Sequence, residues 1–357
     1  MKRYTDATLV MCVPMLLFFS GCLEEHVRTT ISADGSSERI ISMKLPSKNL
    51  PDKAFPVPVG SSWSVEWKET GEKDSTSKYE YIARKTFRTP DDLHHEYAAL
   101  PDTGALGITI SVNKRFGWFF TYIDYQETYT YRNPFGNVPI SNYLTKEEIE
   151  RFQRDDKNDS LNRKVERWSD RDEFEEFYRL LVAETRRRSD PALPASLLEE
   201  KKEECFARVE AVDSANKRAD KNAVDLTTIP LNNAQDVLNI LTKVLKTNAI
   251  LDLLPVAEQG LAVIEEKENR VKHPDGWTYE VQMPGLILET NSNAVEGNTI
   301  TWKFNPNQIK VGNYTMRAAS RVSNMWAFVV TGIAALLIVL IVIRSSFHYE
   351  PLSRKIH

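Results

Sequence analysis

Few residues in this 357-residue chain have the types and spacing that catalysis needs. His94-His95-Glu96 invites a zinc-helix reading, but Ala99 stands where the second histidine of HExxH belongs. Adjacent histidines also leave a helix in different directions, so the segment reads as a solvated helix and no metal site is expected. Asp124 and Glu127 lie three apart on a strand; they point to opposite faces and cannot share a proton. Arg186-Arg187-Arg188 suits the last turn of a helix, where cations offset the dipole, better than a headgroup site. Cys205 sits among Leu197, Leu198, Val209 and Val212 at helical spacing and reads as a small buried hydrophobe. No CxxC, GxSxG or P-loop run is present. The expectation is a protein without catalytic residues or cofactors.

The aromatic segment from Phe116 to Tyr131 offers binding rather than reaction. As one strand it carries Phe116, Trp118, Phe120 and Tyr122 on one face, with Phe119, Ile123, Tyr125, Tyr129 and Tyr131 on the other. The face of Phe116, Trp118, Phe120 and Tyr122 is the candidate ligand or partner face, because half-wet aromatic rings suit such grooves. Plain core is the competing reading.

The elements that must position these residues follow from periodicity. Residues 24–140 alternate with period two: Val27, Thr29 and Ile31, an Asp34-Gly35 turn, then Ile41, Met43 and Leu45. Further strands are expected at 63–67, 79–87 and around Ile108–Val112, and Pro90 opens a short helix. From Leu144 to Asp190, 26 of 47 residues are charged, 14 acidic and 12 basic, so this stretch is a solvated helical surface. Glu147–Arg151, Glu150–Arg154 and Glu175–Arg179 are spaced for i,i+4 pairs, and Thr145 with Glu148 forms a capping box. Phe174, Phe177, Tyr178 and Leu181 form a narrow apolar stripe, and helices follow at about 196–213, 233–248 and 255–270. Strands resume with Trp277, Tyr279, Val281 and Met283, then Ile300, Trp302 and Phe304. The fold class is α+β, a mostly antiparallel sheet split between 22–142 and 276–320, with a highly charged helical insertion at 143–275.

The ends of the chain set its place. Lys2 and Arg3, an apolar run to Phe19 and Ser20-Gly21 before Cys22 read as an export signal over residues 1–21. Met325 to Ile343 runs 19 residues without a charge, about 28 Å of helix and enough for a transmembrane span. Arg344 stands at its exit, with Arg354 and Lys355 in the tail 344–357. The positive-inside rule then puts the tail in the cytoplasm and the bulk of the chain outside it. The chain has 46 Lys+Arg against 50 Asp+Glu, a net charge of −4, which excludes a nucleic-acid binder that needs a basic surface. Three cysteines make no disulfide framework.

Leu17-Phe18-Phe19-Ser20-Gly21-Cys22 resembles the lipobox of bacterial lipoproteins. That resemblance implies a diacylglycerol on the Cys22 thiol and cleavage before it; Phe19 departs from the usual aliphatic residue. The strand–Asp34-Gly35-Ser36–strand opening, Pro284-Gly285 before Thr290-Asn291, the run Gly297 to Trp302 and the single C-terminal span are together similar to LppM-like bacterial lipoproteins. The likeness covers about half the chain, leaves out 144–270, and implies an exported α+β domain facing a membrane, with no reaction attached. Two functions follow as expectations: a membrane-anchored, non-catalytic module binding a lipid or an envelope protein, and an envelope enzyme, hydrolase or transferase, acting on a lipid or wall polymer. The expected partners are membrane lipids, through acylated Cys22 and the 325–343 helix, and an envelope protein.

Overall fold

The computed structural model describes residues 24–49, 62–70, 78–98, 106–154, 158–219, 233–269 and 276–348. Cys22 and the signal segment lie outside the described residues.

The period-two segments build two sheets. The larger contains β1 (Glu24–Ile31), β2 (Ser37–Leu45), β3 (Ser64–Glu69) and β4 (Tyr79–Phe87). It is extended by three strands from the far side of the insertion. The smaller begins with β5 (Leu106–Phe116) and β6 (Phe120–Tyr131). After the helices come β7 (Gly276–Gln282), β8 (Leu286–Thr290), β9 (Ala294–Glu296), β10 (Thr299–Phe304) and β11 (Tyr314–Ser323). The strand orders are β3-β4-β2-β1-β7-β10-β9 and β5-β6-β11-β8. All pairings are antiparallel except β1 with β7, so both halves of the chain supply both sheets and the class is α+β. Alternation gives each sheet one apolar face, and the two faces meet: Val27, Ile41, Tyr81, Val281 and Ile300 share a core with Ile110, Ile123, Tyr125 and Met316. Helix α1 (Pro90–Ala98) adds Leu93 and Tyr97 to that core.

The aromatic segment departs from expectation. It is not one strand over 116–131 but the end of β5, a turn at 117–119 and then β6. The Gly117 N–H donates to the Phe120 carbonyl at 2.8 Å. A Cβ on Gly117 would meet that same oxygen at 2.9 Å, so the reversal needs glycine. Aromatic alternation continues through the turn and hides it from the sequence. A second tight approach occurs at Gly285, between β7 and β8, where φ is +75° and a Cβ would stand 2.2 Å from the Arg321 carbonyl oxygen. This crossover therefore packs directly on the end of β11.

The charged stretch folds as α2 (Lys146–Gln153) and α3 (Asp159–Arg188), followed by α4 (Ala195–Ala219), α5 (Ala234–Leu245) and α6 (Leu254–Asn269). The Thr145–Glu148 capping box opens α2. Phe174, Phe177, Tyr178 and Leu181 are buried in a core of their own with Val237, Leu238, Leu241 and Ala257. Cys205 is buried there too; burial raises its thiol pKa, and the Tyr178 hydroxyl donates to its Sγ at 3.7 Å. Buried Asp172 fastens the loop after β6, accepting from the Val138 N–H at 2.7 Å and the Asn133 side chain at 2.5 Å. The Gln153 amide donates to the carbonyls of Gln308, Gly312 and Asn313, which joins α2 to the short α7 (Pro306–Lys310) and the start of β11.

The expected i,i+4 pairs are partly different. Arg179 bonds Glu176 rather than Glu175, because Glu175 is taken by Arg171 and Lys202. Arg154 forms no ion pair with Glu150 among the described residues. Arg186, Arg187 and Arg188 close α3 and are held by Glu199 and Glu184. The chain ends in α8 (Met325–His348), whose stretch Met325–Ser345 is long and apolar enough to cross a membrane. Its side chains are largely uncovered by the rest of the protein, with Ile338 and Ile341 62% and 66% exposed.

Candidate functional site

Two clusters stand out, one where the hairpin meets α8 and one between the sheets. The β5–β6 turn reaches past the end of β11, so its rings lie beside the first turns of α8. Phe116 stacks on Trp326 with centroids 6.3 Å apart, and Trp118 meets Trp326 edge-on at 5.2 Å. Phe119 and Phe120 contact Phe328 at 4.8 and 5.9 Å. The Trp118 indole N–H donates to the Thr331 hydroxyl at 2.9 Å. Asn324 completes the joint, with its side-chain amide donating to the Gly117 carbonyl at 2.8 Å and its backbone N–H to the Phe119 carbonyl at 2.8 Å.

The four residues of the expected binding face therefore do not share a strand face. Phe116 ends β5, Trp118 sits in the turn, and Phe120 and Tyr122 begin β6. Phe116 and Trp118 remain 64% and 49% exposed while Phe120 and Tyr122 are half-buried on the outer side of the small sheet. Arg321 lies over the Phe120 ring at 4.8 Å and Arg115 over Tyr122 at 5.6 Å. Leu286 and Leu288 on β8 are also exposed. On the opposite face of β6, Ile123, Tyr125 and Tyr129 are core, whereas Phe119 leaves that face for the turn and packs on α8.

The second cluster is ionic and buried. Arg39 on β2 and Glu127 on β6 form a two-pronged pair, with Nη2 to Oε1 at 2.7 Å and Nη1 to Oε2 at 3.0 Å, and both side chains are 0% exposed. The Tyr125 hydroxyl donates to Glu127, and the Tyr97 ring lies 4.6 Å from the guanidinium carbon. The hydroxyls of Tyr129 and Tyr279 bond each other across the sheets. Beside them Glu25 accepts from the Trp277 indole N–H at 3.1 Å. Burial pushes the Glu25 carboxyl up to about 7, against a smaller opposing pull from Arg39. Burial likewise raises the phenols of Tyr97, Tyr125, Tyr129 and Tyr279. A carboxyl near neutrality beside an acid–base pair has the makings of proton-transfer chemistry. Arg39 and Glu127 are wholly out of solvent, and their pair joins β2 of the large sheet to β6 of the small one as a polar rivet.

Sequence reasoning separated Asp124 from Glu127, and the structure agrees: Asp124 pairs with exposed Arg115 at 3.3 Å, while Glu127 faces inward. It missed Arg39 and Glu25 altogether. The signal was present, since Arg39 is in phase with Ile41, Met43 and Leu45, and Glu127 with Ile123, Tyr125 and Tyr129. A charge in the inward phase of an amphipathic strand requires a buried partner. Glu96 of the histidine segment bonds the Trp63 indole at 2.7 Å and Lys85 at 2.6 Å, and His94 bonds the Ile110 carbonyl oxygen at 2.8 Å. Among the described residues, no group of three or more His, Cys, Asp and Glu is arranged to hold a metal ion.

No protein-family model matches the chain, and no curated protein matches it. Among solved structures, the NMR structure of the folded domain of LppM from Mycobacterium tuberculosis aligns over 85% of this chain and 92% of that one, at 11% identity and a TM-score of 0.29. At that TM-score the likeness carries no weight for fold or function.

Proposed function

We propose that this protein is a non-catalytic binding module of a bacterial envelope, anchored in the inner membrane by α8 and standing outside the cytoplasm on its aromatic hairpin. The supporting observation is the joint between hairpin and helix. Phe116, Trp118 and Trp326 form an exposed aromatic collar around the first turn of an apolar helix, where amphipathic rings suit the headgroup layer. The Trp118–Thr331 hydrogen bond satisfies a donor that lipid could not. Arg344, directly after the apolar run, fits the cytoplasmic exit.

The test uses the full chain in vesicles containing lipids brominated near the headgroup. Five of its seven tryptophans lie away from α8: Trp63, Trp67, Trp168, Trp277 and Trp302. Quenching should therefore come from Trp118 and Trp326, and should nearly vanish in Trp118→Phe/Trp326→Phe. Quenching that survives the double substitution would remove the proposal.

The second anchor would be Cys22, two residues before β1 in the sequence. Acylation is measured by mass: Cys22→Ser should lose palmitate and keep the signal peptide. A mature mass equal to the wild type's, apart from the substitution, would remove the lipid.

A further inference from the structure

A groove of about 550 Å³ opens where the last turn of α2 meets the edges of both sheets, lined by the β8–β9 turn, β10 and the start of β11. Arg154, Lys303 and Arg317 line it, with Glu150 as the one carboxylate among the lining residues. None of these three cations forms an ion pair among the described residues. Several cations on the helices are committed instead: Lys164 to Glu148, Arg167 to Glu210, Arg171 to Glu175 and Glu203, and Lys267 to Glu176. The structural amides of the groove are committed as well. Asn291 is held by Trp302, the Arg317 N–H and the Thr315 carbonyl, and Gln153 by three carbonyls. These bonds fix the walls and leave the charges free. Asn293 and Asn313 add exposed amides at the rim. Arg317 also lines a neighbouring cleft of about 330 Å³ with Asn113, Gln126, Glu289 and Asp124, the last paired with Arg115, so the surplus of positive charge is confined to the larger groove.

We propose that this groove binds a multiply charged oxyanion, a small molecule bearing two or more phosphate or carboxylate groups. Two guanidinium forks and an ammonium around one carboxylate leave a surplus of two positive charges, in a chain whose overall charge is −4. Arginine forks match phosphate and carboxylate oxygens two at a time, and the lysine adds a point charge. The volume lies in the range of pockets for ligands far larger than inorganic phosphate. The site deepens the binding-module reading and rests on it: Arg317 stands about 20 Å along β11 from the collar at the start of α8.

The experiment is titration calorimetry of the full chain in non-ionic detergent, with inositol hexakisphosphate, citrate and uncharged inositol as probes. At least one of the two anions should bind with an affinity that falls as salt is raised, and inositol should not bind; which anion binds tells phosphate from carboxylate. Arg154→Gln/Arg317→Gln should weaken that anion at least tenfold, Glu150→Gln should strengthen it, and Arg179→Gln, a paired cation on α3, should leave it unchanged. Unfolding midpoints of the variants, all substituted at exposed positions, show whether each is folded. Absence of anion binding by the folded protein, or equal affinity in the double variant, would overturn the proposal. Tryptophan quenching in vesicles is independent of these charges, so membrane standing and groove binding fail separately.

Discussion

Replacing Arg39 with methionine should destabilise the protein by about 3–5 kcal/mol, because it leaves the Glu127 carboxylate buried without its counter-charge. Glu127→Leu should cost a similar amount by stranding the guanidinium. Both groups are fully shielded, and the pair spans the two sheets, so neither can turn to water without parting them. The double variant Arg39→Met/Glu127→Leu should recover most of the loss, since an apolar pair of similar volume removes both desolvation penalties together. The measurement is urea unfolding of the full chain in detergent for the two single variants and the double. Single variants within about 1 kcal/mol of the wild type, or a double variant showing the sum of both losses, would mean that the pair does not hold the sheets together. Trp118→Ala, at a half-exposed turn position, should by comparison cost about 1 kcal/mol or less.

Stability should also fall as pH rises from about 4.5 to about 7, through Glu25. Its folded-state carboxyl sits near 7 because burial disfavours the charged form, while the unfolded chain titrates near the ordinary 4.5. The folded state thus holds the proton more tightly. The stabilisation is complete below pH 4.5, declines at about 1.4 kcal/mol per pH unit between the two values, and is gone above the folded value, a total of about 3 kcal/mol. Glu25→Gln keeps an acceptor for the Trp277 N–H but cannot ionise. The stability of the variant relative to wild type should therefore rise across this window and leave the variant more stable at pH 8. Taking the difference cancels groups that titrate the other way, such as Glu280, where burial opposes but Arg28 and His26 prevail and hold the carboxyl low. A difference that stays flat from pH 4 to 8 would show that Glu25 is not held in the way its burial indicates.

The residues by themselves determined the elements whose signals are local. Alternation in Ser37–Leu45 set the inward phase of β2, Thr145 and Glu148 set the start of α2, and Phe174 to Leu181 set the buried stripe of α3. The uncharged run from Met325 to Ile343 set the apolar helix, because length and composition alone decide whether a helix can cross a bilayer. The tertiary structure decided what depends on atoms distant in sequence. Arg39 and Glu127 are 88 residues apart, and strand phase says that each is inward but not that they meet. Trp118 finds Thr331 across 213 residues, and an aromatic run that reads as one strand face becomes a collar because Gly117 reverses the chain. Arg154 and Arg317 border one groove only because Gln153 ties α2 to the start of β11. Periodicity fixes the direction in which a side chain leaves its own strand or helix; which other element receives it is set by how the sheets and helices pack, and no single segment carries that information.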